Sequence, residues 1–370
     1  MKTQAAILWN LGEPWSLEEV DLAEPVAGEV RVKLAAAGLC HSDEHLVTGD
    51  IPITLPVIGG HEGAGVVEAV GPGVTSVAEG DHVVLSFIPA CGRCHYCSTG
   101  RQNLCDLGAH LLAGLPIADG VPRFSSKGRG IGTMCLLGTF CPHTVVHESS
   151  VVKVDESVPL RVAALVGCGV TTGWGSAVYA AEVRAGETVV VVGAGGVGMN
   201  ALQGARLAGA KHVVAVDPVA FKREQATAFG ATHTAADMEA ATELVRELTW
   251  GRMADKAILT VGTAEGDMVA PLLDLLSKDG RAVVTAIAPM SQMDVKLNLH
   301  LLTLFQKQLH GSLFGSANPR ADIPTLLALY RDGQLKLDEL VTRTYKLEDV
   351  NQGYQDLRDG NNVRGLIVYD

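Results

Sequence analysis

The sequence predicts an α/β chain in which a doubly wound parallel sheet is inserted into a split, β-rich domain. Three observations lead there. The middle of the chain alternates continuous apolar strands with helical stretches, starting at Thr188–Val192. The first ~165 residues carry short β-branched runs broken by Gly and Pro. After about Gly311 the texture turns mixed again and closes on an apolar run, Val363–Tyr369.

Taken in order, Glu29–Leu34, Ala64–Val70, His82–Phe87 and Val151–Val154 read as strands separated by turns. Thr188–Val192 is apolar throughout, as expected for a strand covered on both faces, and Gly195–Leu207 follows with helical spacing. His212–Asp217 is the next strand and Phe221–Phe229 the next helix. Lys256–Val261 and Arg281–Ile287 are further buried strands, with a helix over Asp267–Leu276 between them. The expected boundaries are 1–169, with a cysteine lobe at 91–105, then 170–312, then a return to the first domain over 313–370.

A chain of 370 residues with 47% apolar and 19% charged side chains has material for two packed cores. Its net charge is −12 and no Lys/Arg run reaches five residues, which argues against nucleic acid or an anionic membrane as partner. Met1–Asn10 lacks a signal peptide's apolar core, and the apolar run around Val189–Met199 is too short to span a bilayer. The expectation is a cytoplasmic protein, in which eight cysteines serve metal or catalysis rather than disulfides.

Gly193-Ala-Gly195-Gly196-Val197-Gly198 matches G-x-G-x-x-G, a weak signal alone. Its place strengthens it, because it follows a strand and opens a helix whose first N–H groups can face a pyrophosphate. Asp217, 19 residues after Gly198 at the next strand end, is placed to accept from ribose hydroxyls and to repel a 2′-phosphate. NAD is therefore favoured over NADP. The plain alternative for Asp217 is a solvated strand end.

Cys91, Cys94, Cys97 and Cys105 form C-x2-C-x2-C-x7-C, which suits a closed tetrahedral zinc site. An iron–sulfur cluster and a pair of disulfides are the alternatives; the wide last gap and the missing proline after Cys105 speak against the first. Cys40, His61 and Cys168 are far apart in sequence, each in a glycine-flanked turn. Two thiolates and one imidazole leave a fourth position open, the pattern of a catalytic zinc, although a lone Cys or His is often plain packing.

In their order along the chain, these segments resemble the zinc-containing alcohol dehydrogenases of the medium-chain superfamily, over essentially the whole length. The resemblance implies a Rossmann domain beside a GroES-like catalytic domain, two zinc ions per chain and NAD(H). It implies Cys40, His61 and Cys168 as ligands of a catalytic zinc and the four-cysteine lobe as a structural one. Ser42 matches the hydroxyl that accepts the alcohol proton, and His45 the solvent end of the relay. Asp43 and Glu62 match carboxylates outside the ligand set that orient His61 and modulate the metal. His41 and Arg364 match cationic pyrophosphate contacts, Thr172 and Lys222 further cofactor contacts, and Phe87 an aromatic wall of the substrate pocket. His41 is a weaker, titratable donor where many relatives carry Arg.

More narrowly, Leu46–Asp50, Cys135–Phe140 and Gly311–Pro324 look like the actinobacterial nitrosodimethylaniline-dependent enzymes, nicotinoproteins that keep NAD(H) bound. That likeness implies a small alcohol or aldehyde as substrate. It leaves open whether NAD exchanges or is reoxidised in place by a small redox carrier. The resemblance to long-chain relatives that keep the Asp106–Gly132 insertion implies a homo-oligomer, dimer or tetramer. Two rivals stand beside this reading: a glutathione-dependent formaldehyde dehydrogenase, and a non-catalytic protein on the same scaffold. Cys135, Cys141, His82, His110, His143, His147, His310, Met290 and Met293 read as structure.

Overall fold

A computed structural model describes residues 1–369 and divides into two units. One comprises Met1–Cys168 and the segment from Asn318 onward; the other is Gly169–Ala317. The chain thus returns to the first unit later than the expected 312/313 boundary.

The second unit is built on a six-stranded parallel sheet. Its order is His233–Ala235, His212–Val216, Thr188–Val192, Ala254–Leu259, Leu276–Val284 and Gln308–Gly311. Thr188–Val192 lies in the interior of this sheet, and its β-branched residues are at most 6% exposed. Val190 and Val192 pack with Val214, Val216 and Leu259 against Ala241 and Val245 of the helix Met238–Leu248. Val189 and Val191 point the other way and are equally buried, so both faces are covered.

In the first unit, Lys2–Leu8, Ser16–Leu22, Phe124–Ser126, Arg129–Thr133 and Val57–Ile58 close a small barrel. Beside it runs a mostly antiparallel sheet in the order Val151–Lys153, His82–Leu85, Gly63–Val70, Glu29–Leu39, Arg364–Val368 and Val341–Tyr345, with His143–His147 also paired to Glu29–Leu39. Along Glu29–Leu39 the side chains alternate, with Val30, Val32 and Leu34 in the core while Arg31 and Lys33 face outward. The strand runs five residues beyond the expected Leu34 and so delivers the chain directly to Cys40. A buried ion pair, Arg123 Nε to Glu29 Oε2 at 2.7 Å, ties the segment after the cysteine lobe to this strand. Among the described residues no single helix is long and apolar enough to cross a membrane.

Candidate active site and metal centres

Cys40 stands where Glu29–Leu39 ends and the helix His41–Thr48 begins. His61 follows Gly60, whose φ of +87° and crowding against Phe140 and Thr139 exclude a side chain. Cys168 follows Gly167, where a Cβ would fall 2.3 Å from the Leu85 carbonyl oxygen. These close backbone approaches bring three residues that are distant in sequence into one buried cluster. Donor atoms of Cys40, His61, Glu62 and Cys168 all lie within 4.8 Å of one another.

Asp43 supports the cluster. Its Oδ1 accepts from the Gly60 N–H at 2.8 Å and its Oδ2 lies 3.3 Å from His61 Nδ1, which turns the imidazole. His61 Nε2 is buried without a hydrogen-bond partner. Such an atom in a polar cluster calls for a ligand. Contact with Cys168 holds the Cys40 thiol well below its usual range, and contact with Cys40 pushes Cys168 well above it. Burial disfavours an imidazolium at His61, yet the charges of Asp43 and Cys40 outweigh it and lift the group well above normal. The donor set therefore favours positive charge at its centre, and two sulfurs with one imidazole nitrogen suit zinc.

Asp43 and Glu62 were both expected outside the ligand set, orienting His61; Asp43 lies against the His61 ring, and a Glu62 carboxylate oxygen lies within 4.8 Å of the Cys40, His61 and Cys168 donors. Arg364 donates to Glu62 in a buried ion pair, so its guanidinium stands beside the donor cluster. Gly38 makes room for this, since a Cβ there would fall on Glu62 Oε2.

Ser42 lies 3.6 Å from Cys40, oxygen to sulfur. The Phe87 ring stands edge-on to His61 with centroids 5.8 Å apart, so it walls the cluster. His41 and His45 have ring centroids 5.9 Å apart. His45, expected at the solvent end of a relay, is instead 2% exposed, because Asp50 folds back over it with Oδ2 2.9 Å from Nδ1. Sequence reasoning passed over Asp50. The available signal was a carboxylate immediately after Gly49, the residue that ends the helix.

In the cysteine lobe, Sγ of Cys91 and Cys97 are 3.9 Å apart and those of Cys94 and Cys105 4.0 Å. A tetrahedral zinc with Zn–S of ~2.3 Å implies sulfur separations of about 3.8 Å. These gaps rule out disulfide bonds, and all eight cysteines are free thiols. Four sulfurs within 4.8 Å leave room for one ion and none for a cluster core. Backbone N–H groups of Cys94 and Cys97 point at the sulfurs of Cys91 and Cys94. Burial opposes ionisation of Cys91, but N–H donors from Arg93 and Cys94 bring its thiol to about 7; burial pushes Cys97 up to about 12. All four would ionise only around a cation, whose charge offsets their mutual repulsion.

The second unit carries the Gly-rich turn. Gly193 takes φ +98°, and a Cβ on Gly198 would fall 1.8 Å from the Gly193 carbonyl oxygen. Gly195 differs: a Cβ there would meet nothing within 4 Å, so its backbone faces open space at the start of the helix Gly196–Leu207. That is a cradle into which a ligand can approach the backbone closely. Gly196 and Val197 open the first turn. Asp217 is 5% exposed, with Oδ2 accepting from Ala194 N–H and Oδ1 from Val219 N–H, both at 2.9 Å. Each oxygen keeps a lone pair for a further donor. Lys222 is half-buried in the first turn of Ala220–Ala228, and Thr172 Oγ1 is buried without a partner.

Comparison with known proteins agrees with this geometry. Residues 26–156 match the alcohol dehydrogenase GroES-like domain, and residues 196–332 the zinc-binding dehydrogenase domain. The chain is 55% identical over 370 residues to alcohol dehydrogenase B of Mycobacterium tuberculosis, covering 100% of this chain and 99% of that one. The chain belongs to the zinc-binding alcohol dehydrogenases. A second member of the family, the NDMA-dependent alcohol dehydrogenase of Amycolatopsis methanolica, is 56% identical with the same coverage. The crystal structure of benzyl alcohol dehydrogenase from Acinetobacter calcoaceticus is 30% identical and superposes with a TM-score of 0.92, covering all of both chains. The dehydrogenase thus acts on a small alcohol, and its two clusters are where such a family member would hold zinc.

Proposed function

We propose that this dehydrogenase oxidises a small alcohol to its aldehyde or ketone by hydride transfer to NAD, and that NAD(H) stays bound through turnover. The observation that carries the reading is the buried convergence of Cys40, His61 and Cys168, with Ser42 beside Cys40. Zinc held there supplies Lewis acidity toward the alcohol oxygen at constant oxidation state, and the nicotinamide supplies the hydride acceptor. Ser42 accepts the proton of the alcohol and passes it toward His45. Asp43 fixes the His61 ring, while Glu62 and Arg364 balance charge around the sulfurs. The Gly195 cradle takes the pyrophosphate. Asp217 and Lys222 take the adenosine ribose, and Thr172 offers its hydroxyl to the cofactor. The reading extends to a cytoplasmic homo-oligomer whose bound NADH is reoxidised by a small redox carrier. The likeness to the Amycolatopsis enzyme supports the retained cofactor.

Because Asp217 also stitches the Gly-rich turn through both carboxylate oxygens, its charge is best tested with a variant that keeps one of the two accepting oxygens. Asp217→Asn is expected to narrow discrimination against NADP by about tenfold or more, since a neutral amide no longer repels a 2′-phosphate. Fluorescence titration of cofactor-stripped protein with both dinucleotides reads this directly.

The function itself is tested by exhaustive dialysis followed by assay with benzyl alcohol and nitrosodimethylaniline, without free NAD. Sustained aldehyde formation is the expected result, because retention means a dissociation rate far below turnover. A protein that dialyses free of cofactor and then needs added NAD would overturn retention. Preference for S-hydroxymethylglutathione over benzyl alcohol would overturn the substrate class.

A further inference from the structure

The geometry of the segment Leu46–Asp50 gives it a chemistry of its own. The helix His41–Thr48 ends at Gly49, whose φ of +84° is the left-handed conformation of a helix stop. That turn sends the next residue back over the last turn of the helix. Asp50 Oδ2 then lies 2.9 Å from His45 Nδ1, and Thr48 Oγ1 donates to the same oxygen at 2.7 Å. The Ile51 N–H closes the loop on the His45 carbonyl oxygen at 3.1 Å.

We propose that Asp50 is a positioning residue of the proton relay, its carboxylate holding the buried His45 imidazole in the tautomer that keeps hydrogen on Nδ1 and leaves Nε2 basic. The inference rests on the relay assigned to Ser42 and His45. Two donors converge on one carboxylate oxygen, so its place is set from both sides. The same two hydrogen bonds, from His45 first and Thr48 second, hold the Asp50 carboxyl below the usual carboxylate range, and it remains an acceptor. A carboxylate accepts only, so the shared hydrogen must sit on Nδ1. Proton exchange with Ser42 then runs through Nε2. When Nε2 takes the proton that Ser42 received from the alcohol, the imidazolium donates its Nδ1–H to Asp50. Its charge is thereby stabilised in a place that is 2% exposed. His45 returns to neutral when the proton leaves Nε2 for a water molecule, so Nδ1 keeps its hydrogen throughout. Asp50 itself stays ionised throughout, as the acidic member of a His–Asp pair does in serine hydrolases.

The test compares wild type with Asp50→Asn as purified, metal- and cofactor-loaded enzyme. An asparagine can turn its amide and donate to Nδ1, which moves the ring hydrogen to Nε2 and blocks the relay. Turnover is expected to fall about 10- to 100-fold while KM for benzyl alcohol changes less than about twofold. Thr48→Val, which leaves the carboxylate in place, is expected to fall far less. The second readout needs no activity. With 15N-histidine labelling and His45→Gln to assign the resonance, His45 in wild type should show a protonated Nδ1, and in Asp50→Asn a protonated Nε2. An unchanged tautomer in Asp50→Asn, or unchanged turnover, would overturn the role of Asp50. A wild-type protein that oxidises no alcohol would overturn the relay reading instead, and the tautomer measurement would still decide the pairing.

Discussion

Cys40→Ala is expected to lower alcohol oxidation on the order of 1,000-fold or more while leaving a folded protein that carries one zinc. Lewis-acid assistance is worth several kcal/mol of barrier, and each ~1.4 kcal/mol is tenfold in rate. The residue sits at a strand end where a methyl group fits the backbone, so the fold around it survives. Its loss also removes the partner that shares charge with Cys168 and His61. Elemental analysis, circular dichroism and the benzyl alcohol assay check the three parts separately. A variant that keeps two zinc ions or near-normal turnover would contradict the assignment of Cys40.

Cys97→Ala should act on stability. Around Cys91–Cys105 the chain forms only short helical turns, and the sulfurs with their N–H donors are what gather it. Structural zinc sites of this type contribute folding energy outright, so loss of one ligand is expected to cost on the order of several kcal/mol. Tm should fall by about 10 °C or more, given a few degrees per kcal/mol for a domain of this size. The catalytic cluster of this variant is expected to keep its own zinc at low temperature. Thermal unfolding with and without a chelator measures the difference, and an unchanged Tm in a lobe that has lost its zinc would contradict the structural role.

The parallel sheet was largely legible because its strands are buried on both faces. Thr188–Val192 is apolar at every position after Thr188, and its observed bounds coincide with the expected ones. Helices such as Gly196–Leu207 and Ala220–Ala228 fall within one residue of expectation. The small barrel was not legible. Val57–Ile58 and Phe124–Ser126 are two and three residues long, too short to show any periodicity, and exist because distant strands pair with them. Edge strands such as His233–Ala235 escaped for the same reason.

At the site, residue types carried most of the information and geometry the rest. Four cysteines close in sequence point to one ion by their spacing alone. Cys40, His61 and Cys168 needed the family resemblance, since only the fold brings them together. The place of Glu62 depends on Arg364, 302 positions away, and no local pattern announces that pair. The burial of His45 depends on a backbone turn at Gly49 that a residue count does not reveal.

The central claim is that alcohol gives hydride to a nicotinamide at the Cys40–His61–Cys168 cluster. The most direct measurement is near-ultraviolet absorbance in a stopped-flow experiment, mixing dialysed wild type with benzyl alcohol and no added NAD. A rise in reduced-nicotinamide absorbance is expected, slower when the alcohol carries deuterium on its oxidised carbon and absent in Cys40→Ala. No reduced nicotinamide in wild type, with or without supplied NAD, would contradict the claim.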